Sequence, residues 1–151
     1  MQQLLLSLVL VLFAASPAAP APKADALATV HQFVDSFNKG DTKAAAATCA
    51  DQTVIIDDFP PYEWHGAGSC LKWMDDYGAD AAKNKITDGH VTLGTARHAY
   101  VSGDRAYIVV PTTYVYKKNG KVVKEIGSTL TVALQSSANS YRITGWAWSK
   151  N

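Results

Sequence analysis

From Leu4 to Ala15 apolar residues run almost unbroken, with Ser7 the one interruption, and the small residues and prolines of Ser16–Pro22 follow. After Asp25 the pattern turns periodic. Leu27, Val30, Phe33, Val34 and Phe37 recur at helical spacing, which predicts a helix from Ala26, capped by Asp25 and stopped at Asn38-Lys39-Gly40. Asp41 is placed to cap a second short helix reaching Ala47. Thr53-Val54-Ile55-Ile56-Asp57 is β-branched and reads as a strand, halted by Asp58-Phe59-Pro60-Pro61 because proline has no ladder donor. Tyr62-Glu63-Trp64 reads as a brief extended piece. A third helix is expected from about Cys70 to Ala82, with Ser69 as its cap and Leu71, Met74, Tyr77, Gly78 and Ala81 on one side.

Beyond Lys85 the pattern is that of strands: Ile86 to Val101, bent at Gly89 or Gly94, then Arg105 to Tyr116, Val122 to Gln135 and Tyr141 to Ser149. Asn119-Gly120 is a strong hairpin signal, and Ser136–Asn139 reads as a turn. The class predicted is α+β, helices first and then an antiparallel meander. Several strands are apolar on both faces. Ala106, Ile108, Val110, Thr112, Tyr114 and Tyr116 share one side of their strand, and Tyr107, Val109, Pro111, Thr113 and Val115 the other. In the last strand Tyr141, Ile143 and Ala147 share one face, with Trp146 and Trp148 opposite. Three helices cover one side of a sheet, so the uncovered side predicts a homodimer through the outer sheet face.

Composition adds limits. A chain of 151 residues, 48% hydrophobic and 18% charged, suits one globular domain. A net charge of +1 provides no basic field for a nucleic-acid backbone. The leading apolar run falls short of the ~20 residues of a membrane span. It reads as a signal peptide over residues 1–22, cleaved between 18 and 24, ahead of a domain over 23–151. The expected location is periplasmic or secreted, with no stable membrane anchor after cleavage. Export permits disulfides, and the two cysteines, Cys49 and Cys70, are either paired or small core residues.

Asp57 is the leading chemical candidate. It ends an apolar strand, where partial burial raises a carboxyl toward the range of a general base. The Asp58–His65 stretch, stiffened by two prolines, places Tyr62 and Trp64 as pocket-lining candidates, with His65 as a second candidate for proton transfer. Trp73 and Tyr77, one turn apart, and Tyr114 are further ligand-binding candidates. No metal site is expected from the four histidines: His90 and His98, eight residues apart on one strand at ~3.3 Å each, do not reach one ion. No phosphate loop, dinucleotide fingerprint or nucleophile elbow is present, and no cofactor is implied.

The strings Phe33-Val34-Asp35-Ser36-Phe37-Asn38-Lys39-Gly40-Asp41, Cys49-Ala50-Asp51-Gln52-Thr53-Val54, Trp64-His65-Gly66 and Tyr141-Arg142-Ile143-Thr144-Gly145-Trp146, in this order, resemble the nuclear-transport-factor-2-like (NTF2-like) superfamily, in the style of its SnoaL-like and ketosteroid-isomerase-like domains. The resemblance implies a cone, with three N-terminal helices packed in a curved antiparallel sheet and a pocket at the open end. By position, Asp57 looks like the catalytic aspartate of ketosteroid isomerases. The rest of that site does not carry over: the oxyanion tyrosine falls at Phe33 and its acidic partner near Ser128. The first expectation is therefore a pocket domain for a small, mainly apolar ligand. The alternatives are an isomerase, dehydratase or cyclase using Asp57 or His65, and a protein-interaction module using the outer sheet face.

Overall fold

The computed structural model describes residues 22–137 and 140–151. The expected leader with most of its cleavage window, and Ala138 and Asn139 of the expected turn, lie outside the described residues. Helix α1 spans Pro22–Asn38 and turns Ala26, Val30, Phe33 and Val34 into the core. It starts before the expected cap, so Asp25 sits in its first turn, where a negative charge favours the helix N-terminus. Gly40, at a φ of +69°, makes the expected left-handed stop. Asp41 caps α2 (Thr42–Ala46), its carboxylate accepting the Ala44 N–H at 2.9 Å. Asn38 does more than end α1: its amide exchanges two 2.8 Å hydrogen bonds with the Val91 backbone, acting as a strand partner for part of a sheet edge.

The strands are β1 (Cys49–Ile56), β2 (Glu63–Trp64), β3 (Ile86–Leu93), β4 (His98–Ser102), β5 (Arg105–Lys118), β6 (Lys121–Ser137) and β7 (Ser140–Ser149), with α3 (Ser69–Lys83) between β2 and β3. They form one seven-stranded sheet in the order β2-β1-β7-β6-β5-β3, with β4 also on β5. Three features of the expected fold are corrected. The helices are not all N-terminal, because β1 and β2 precede α3. The sheet is mixed: β1 lies parallel to β7, with Val54 opposite Gly145 and Ile56 opposite Ala147. It is also open, neither closed nor strongly curved, with β2 and β3 at its ends, so the cone does not describe it. The parallel pair joins segments some ninety residues apart; Thr53 Oγ1, for instance, donates to the Ile143 carbonyl at 2.8 Å across a separation of 90.

The strand expected from Ile86 to Val101 is broken in two, and Pro111 on β5 marks the reason. The amide N–H groups of Gly94 and Arg97 donate to Pro111 and Val109 at 2.8 Å, so the main chain of Pro111 faces this edge. Proline has no N–H to return, and the ladder is interrupted there.

Helix α3 is rotated from its expected setting. Cys70, Trp73 and Met74 are buried, and Leu71 is exposed. Gly68 is the N-cap and makes no side-chain cap bond. Ser69 does not cap; its hydroxyl donates to the Thr53 carbonyl at 2.5 Å, fastening the helix to β1. Cys49 and Cys70 form a disulfide across the same junction, with Cα atoms 6.5 Å apart. Together these turn the 70-73-74-77 face inward.

The last strand differs too. A register shift between Ala133 and Leu134 leaves Thr144 as an extra residue on β7, and a bulge of this kind inverts the alternation beyond it. Tyr141, Ile143 and Trp146 are therefore all buried on the helix side, with Trp148 beside them. The two tryptophans thus share the face of Tyr141 and Ile143 and do not lie opposite them as expected.

Candidate functional site

Asp57 follows the last residue of β1, and the turn after it bends back so that the Asp57 N–H reaches the Tyr62 carbonyl at 3.1 Å. This aims its side chain along the inner sheet face toward α3. One carboxylate oxygen accepts the Asp58 N–H at 2.8 Å, and the other accepts the Trp73 indole N–H at 2.8 Å. Burial pushes the carboxyl up to about 7, against the lowering effect of these two donors. Desolvation wins because no cation lies within ion-pair distance of Asp57 among the described residues.

The space before this carboxyl is a cavity of about 330 Å³ bounded by α1, α3, β3 and the inner faces of β5, β6 and β7, within the ~300–1,000 Å³ of small-molecule sites. Its walls are mainly aromatic. Phe37 and Tyr77 meet edge to face with centroids 5.0 Å apart, Trp73 stacks on Tyr77 at 5.8 Å, and Tyr114 meets the edge of Trp148 at 6.4 Å. Tyr77 and Tyr114 share a 2.5 Å hydrogen bond between hydroxyls. Burial raises both phenols above their ordinary value, and the Tyr77 hydroxyl raises Tyr114 further, so each keeps its proton.

A charged chain lies along one side of the cavity. Lys150 Nζ stands 2.6 Å from Asp58 and 3.3 Å from Glu125, and Tyr116 donates to the same Glu125 oxygen at 2.9 Å. Burial lowers Lys150, but the two carboxylates outweigh it and hold its pKa above the usual value. The second Glu125 oxygen is buried without a partner among the described residues.

Of the expected site residues, Asp57, Trp73, Tyr77 and Tyr114 line this one cavity. Tyr62 is exposed and stands away from it. Trp64 is a core residue whose indole donates to Asp76 at 2.8 Å. His65 is an exposed side chain 3.3 Å from Glu63. The rotation of the turn, with Tyr62 at a φ of 74°, carries all three off the cavity wall. His90 and His98 stand on separate strands, β3 and β4. Sequence reasoning passed over Phe59, Glu125, Trp148 and Lys150. Phe59 carried a signal, as an aromatic beside the candidate base; nothing local singles out Glu125 or Lys150. A larger hollow, about 630 Å³, lies between the start of α1 and the β3–β4 connection, and holds none of the candidates.

No family model matches the chain, and no curated protein matches it in sequence. Solved structures do match in fold. A ketosteroid isomerase-like protein from Erwinia carotovora atroseptica is 19% identical over 84% of this chain and 94% of its own, with a TM-score of 0.66. A nuclear-transport-factor-2-like protein with a cystatin-like fold from Novosphingobium aromaticivorans is 12% identical over 85% and 80%, with a TM-score of 0.68. A nuclear-transport-factor-2-like protein of unknown function from Shewanella oneidensis is 16% identical over 86% and 100%, with a TM-score of 0.62. These likenesses point broadly to the fold of that superfamily and to no one member of it.

Proposed function

We propose that the domain binds a small, mainly apolar molecule in the Asp57 cavity, with Asp57 receiving the polar end of the ligand. The observation that supports this reading is a buried carboxyl, pushed up to about 7, at the wall of an otherwise aromatic cavity. Perturbed groups of this kind concentrate at functional sites. The test is native mass spectrometry of the purified chain for a retained ligand, together with displacement of an environment-sensitive apolar dye. Loss of dye binding in Trp73→Ala with the fold intact supports the cavity as the site. Dye binding unchanged in that variant, with no retained molecule, overturns it.

One feature favours a second, catalytic reading as an isomerase, dehydratase or cyclase. A carboxyl that titrates near 7 has the basicity a general base needs at neutral pH, and the Tyr77–Tyr114 pair supplies protonated hydroxyls on the same cavity. An Asp57→Asn variant that keeps full turnover of any substrate found would remove this reading.

Two further proposals concern the molecule's setting. Export to an oxidising compartment is supported by the leader's composition and by the Cys49–Cys70 disulfide. A homodimer through the outer sheet face is supported by Val54, Ile56, Tyr100, Tyr107, Val122 and Ile126, all exposed apolar or aromatic residues. Trp146 and Trp148 no longer contribute to that argument, and the interaction-module alternative loses its tryptophans with them.

A further inference from the structure

Charge divides unevenly around the cavity. Asp57, Asp58, Asp80 and Glu125 line it against Lys118 and Lys150. Lys150 is already held between Asp58 and Glu125. Asp57 is left with two neutral N–H donors, from the Asp58 backbone and the Trp73 indole, and with no cation at ion-pair distance among the described residues. Glu125 is left with one buried oxygen that has no hydrogen-bond partner among the described residues. A buried carboxylate short of a countercharge is costly, and one short of a donor adds to that cost.

The remaining walls are ring faces and edges. Phe37, Phe59, Trp73, Tyr77, Tyr114 and Trp148 all border the same space. Aromatic faces attract cations through the ring quadrupole, and an aromatic enclosure with a carboxylate at its wall is suited to an ammonium group. An anionic ligand would meet Asp57 and Glu125 as like charges. A neutral one would bury Asp57 further without supplying the missing charge.

Resting on the reading that this cavity is the ligand site, we propose that its ligand is a small organic cation, a protonated amine on an apolar or aromatic body, with the ammonium beside Asp57 and the body against the rings. The volume of about 330 Å³ suits a body of about one ring.

The test is a matched series of 2-phenylethylamine, 2-phenylethanol and phenylacetate. Each is titrated into the unaltered chain at pH 8 and low ionic strength, followed by calorimetry and tryptophan fluorescence. The amine is expected to bind at least about tenfold more tightly than the alcohol, and the acid more weakly than either. Asp57→Asn, with its fold checked by circular dichroism, is expected to bring the amine's affinity to within about twofold of the alcohol's in the same variant. Alcohol binding as tight as the amine's, or an amine preference that survives Asp57→Asn, overturns the cationic-ligand proposal and leaves the cavity reading standing. No saturable binding of any of the three at millimolar concentration overturns both. The comparison among probes needs no variant, so a poorly folding Asp57→Asn leaves it decisive.

Discussion

Asp57 holds its proton more tightly in the folded chain than in the unfolded one, about 7 against 3.8. Its contribution to stability is therefore greatest below pH 3.8, declines between these values and is lost above the folded value. Asparagine has no proton to lose there. The difference in unfolding free energy between Asp57→Asn and the unaltered chain should shift in favour of the variant by about 2–4 kcal/mol on going from pH 4 to pH 8. Denaturant titrations at the two pH values measure it, and an equal difference at both would contradict the assigned burial. Gly89 carries a second prediction. A Cβ there would lie 2.7 Å from the Tyr114 hydroxyl and 2.9 Å from that of Tyr77. Gly89→Ala should therefore force the tyrosine pair apart and destabilise the chain by about 1–3 kcal/mol, read as a changed near-ultraviolet circular dichroism spectrum and a lower melting temperature. Asp57 was legible as a candidate because a carboxylate ending an apolar strand is conspicuous. Its countercharge deficit was not, because that depends on what α3 and the far strands place around it.

Helix α3 shows what an element reveals by itself and what it does not. Its helical spacing was plain in the sequence, but both Leu71 and Trp73 stood at apolar positions consistent with some inward face. The choice between them was made outside the helix, by Ser69 on the Thr53 carbonyl and by the disulfide to Cys49. Replacing both cysteines by alanine should cost about 3 kcal/mol for a loop of this length. Chemical denaturation of the double variant measures the loss, and reductant should bring the unaltered chain toward the same midpoint and leave the variant unchanged. Strand β7 makes the same point through its backbone. Alternation alone set Trp146 and Trp148 opposite Tyr141 and Ile143, and the extra residue at Thr144 brought all four to one face. Gly145, directly after Thr144, is the kind of strand glycine that marks a bulge, but only the pairing with β6 shows that the extra residue falls there.

Among the described residues, helices lie on one face of the sheet and the other face is open to solvent. Ile126, 65% exposed, and Tyr107, 47% exposed, stand on strands of that open side. If two copies meet there, Ile126→Lys should shift a dimer to monomer in sedimentation velocity without changing the melting temperature of the monomer. A monomeric mass for the unaltered chain at micromolar concentration would end the dimer proposal. The order of local elements was written in the sequence: apolar periodicity set α1, Asp41 set the start of α2, and Asn119-Gly120 set the β5–β6 hairpin, where both residues take positive φ. Each of these depends on neighbours a few residues away. The open mixed sheet, the parallel pairing of β1 with β7 and the cavity before Asp57 depend on strands some ninety residues apart, and the inward turn of the two last tryptophans depends on the register shift between β6 and β7. Local periodicity holds no term for such pairings, so the tertiary structure alone decided them.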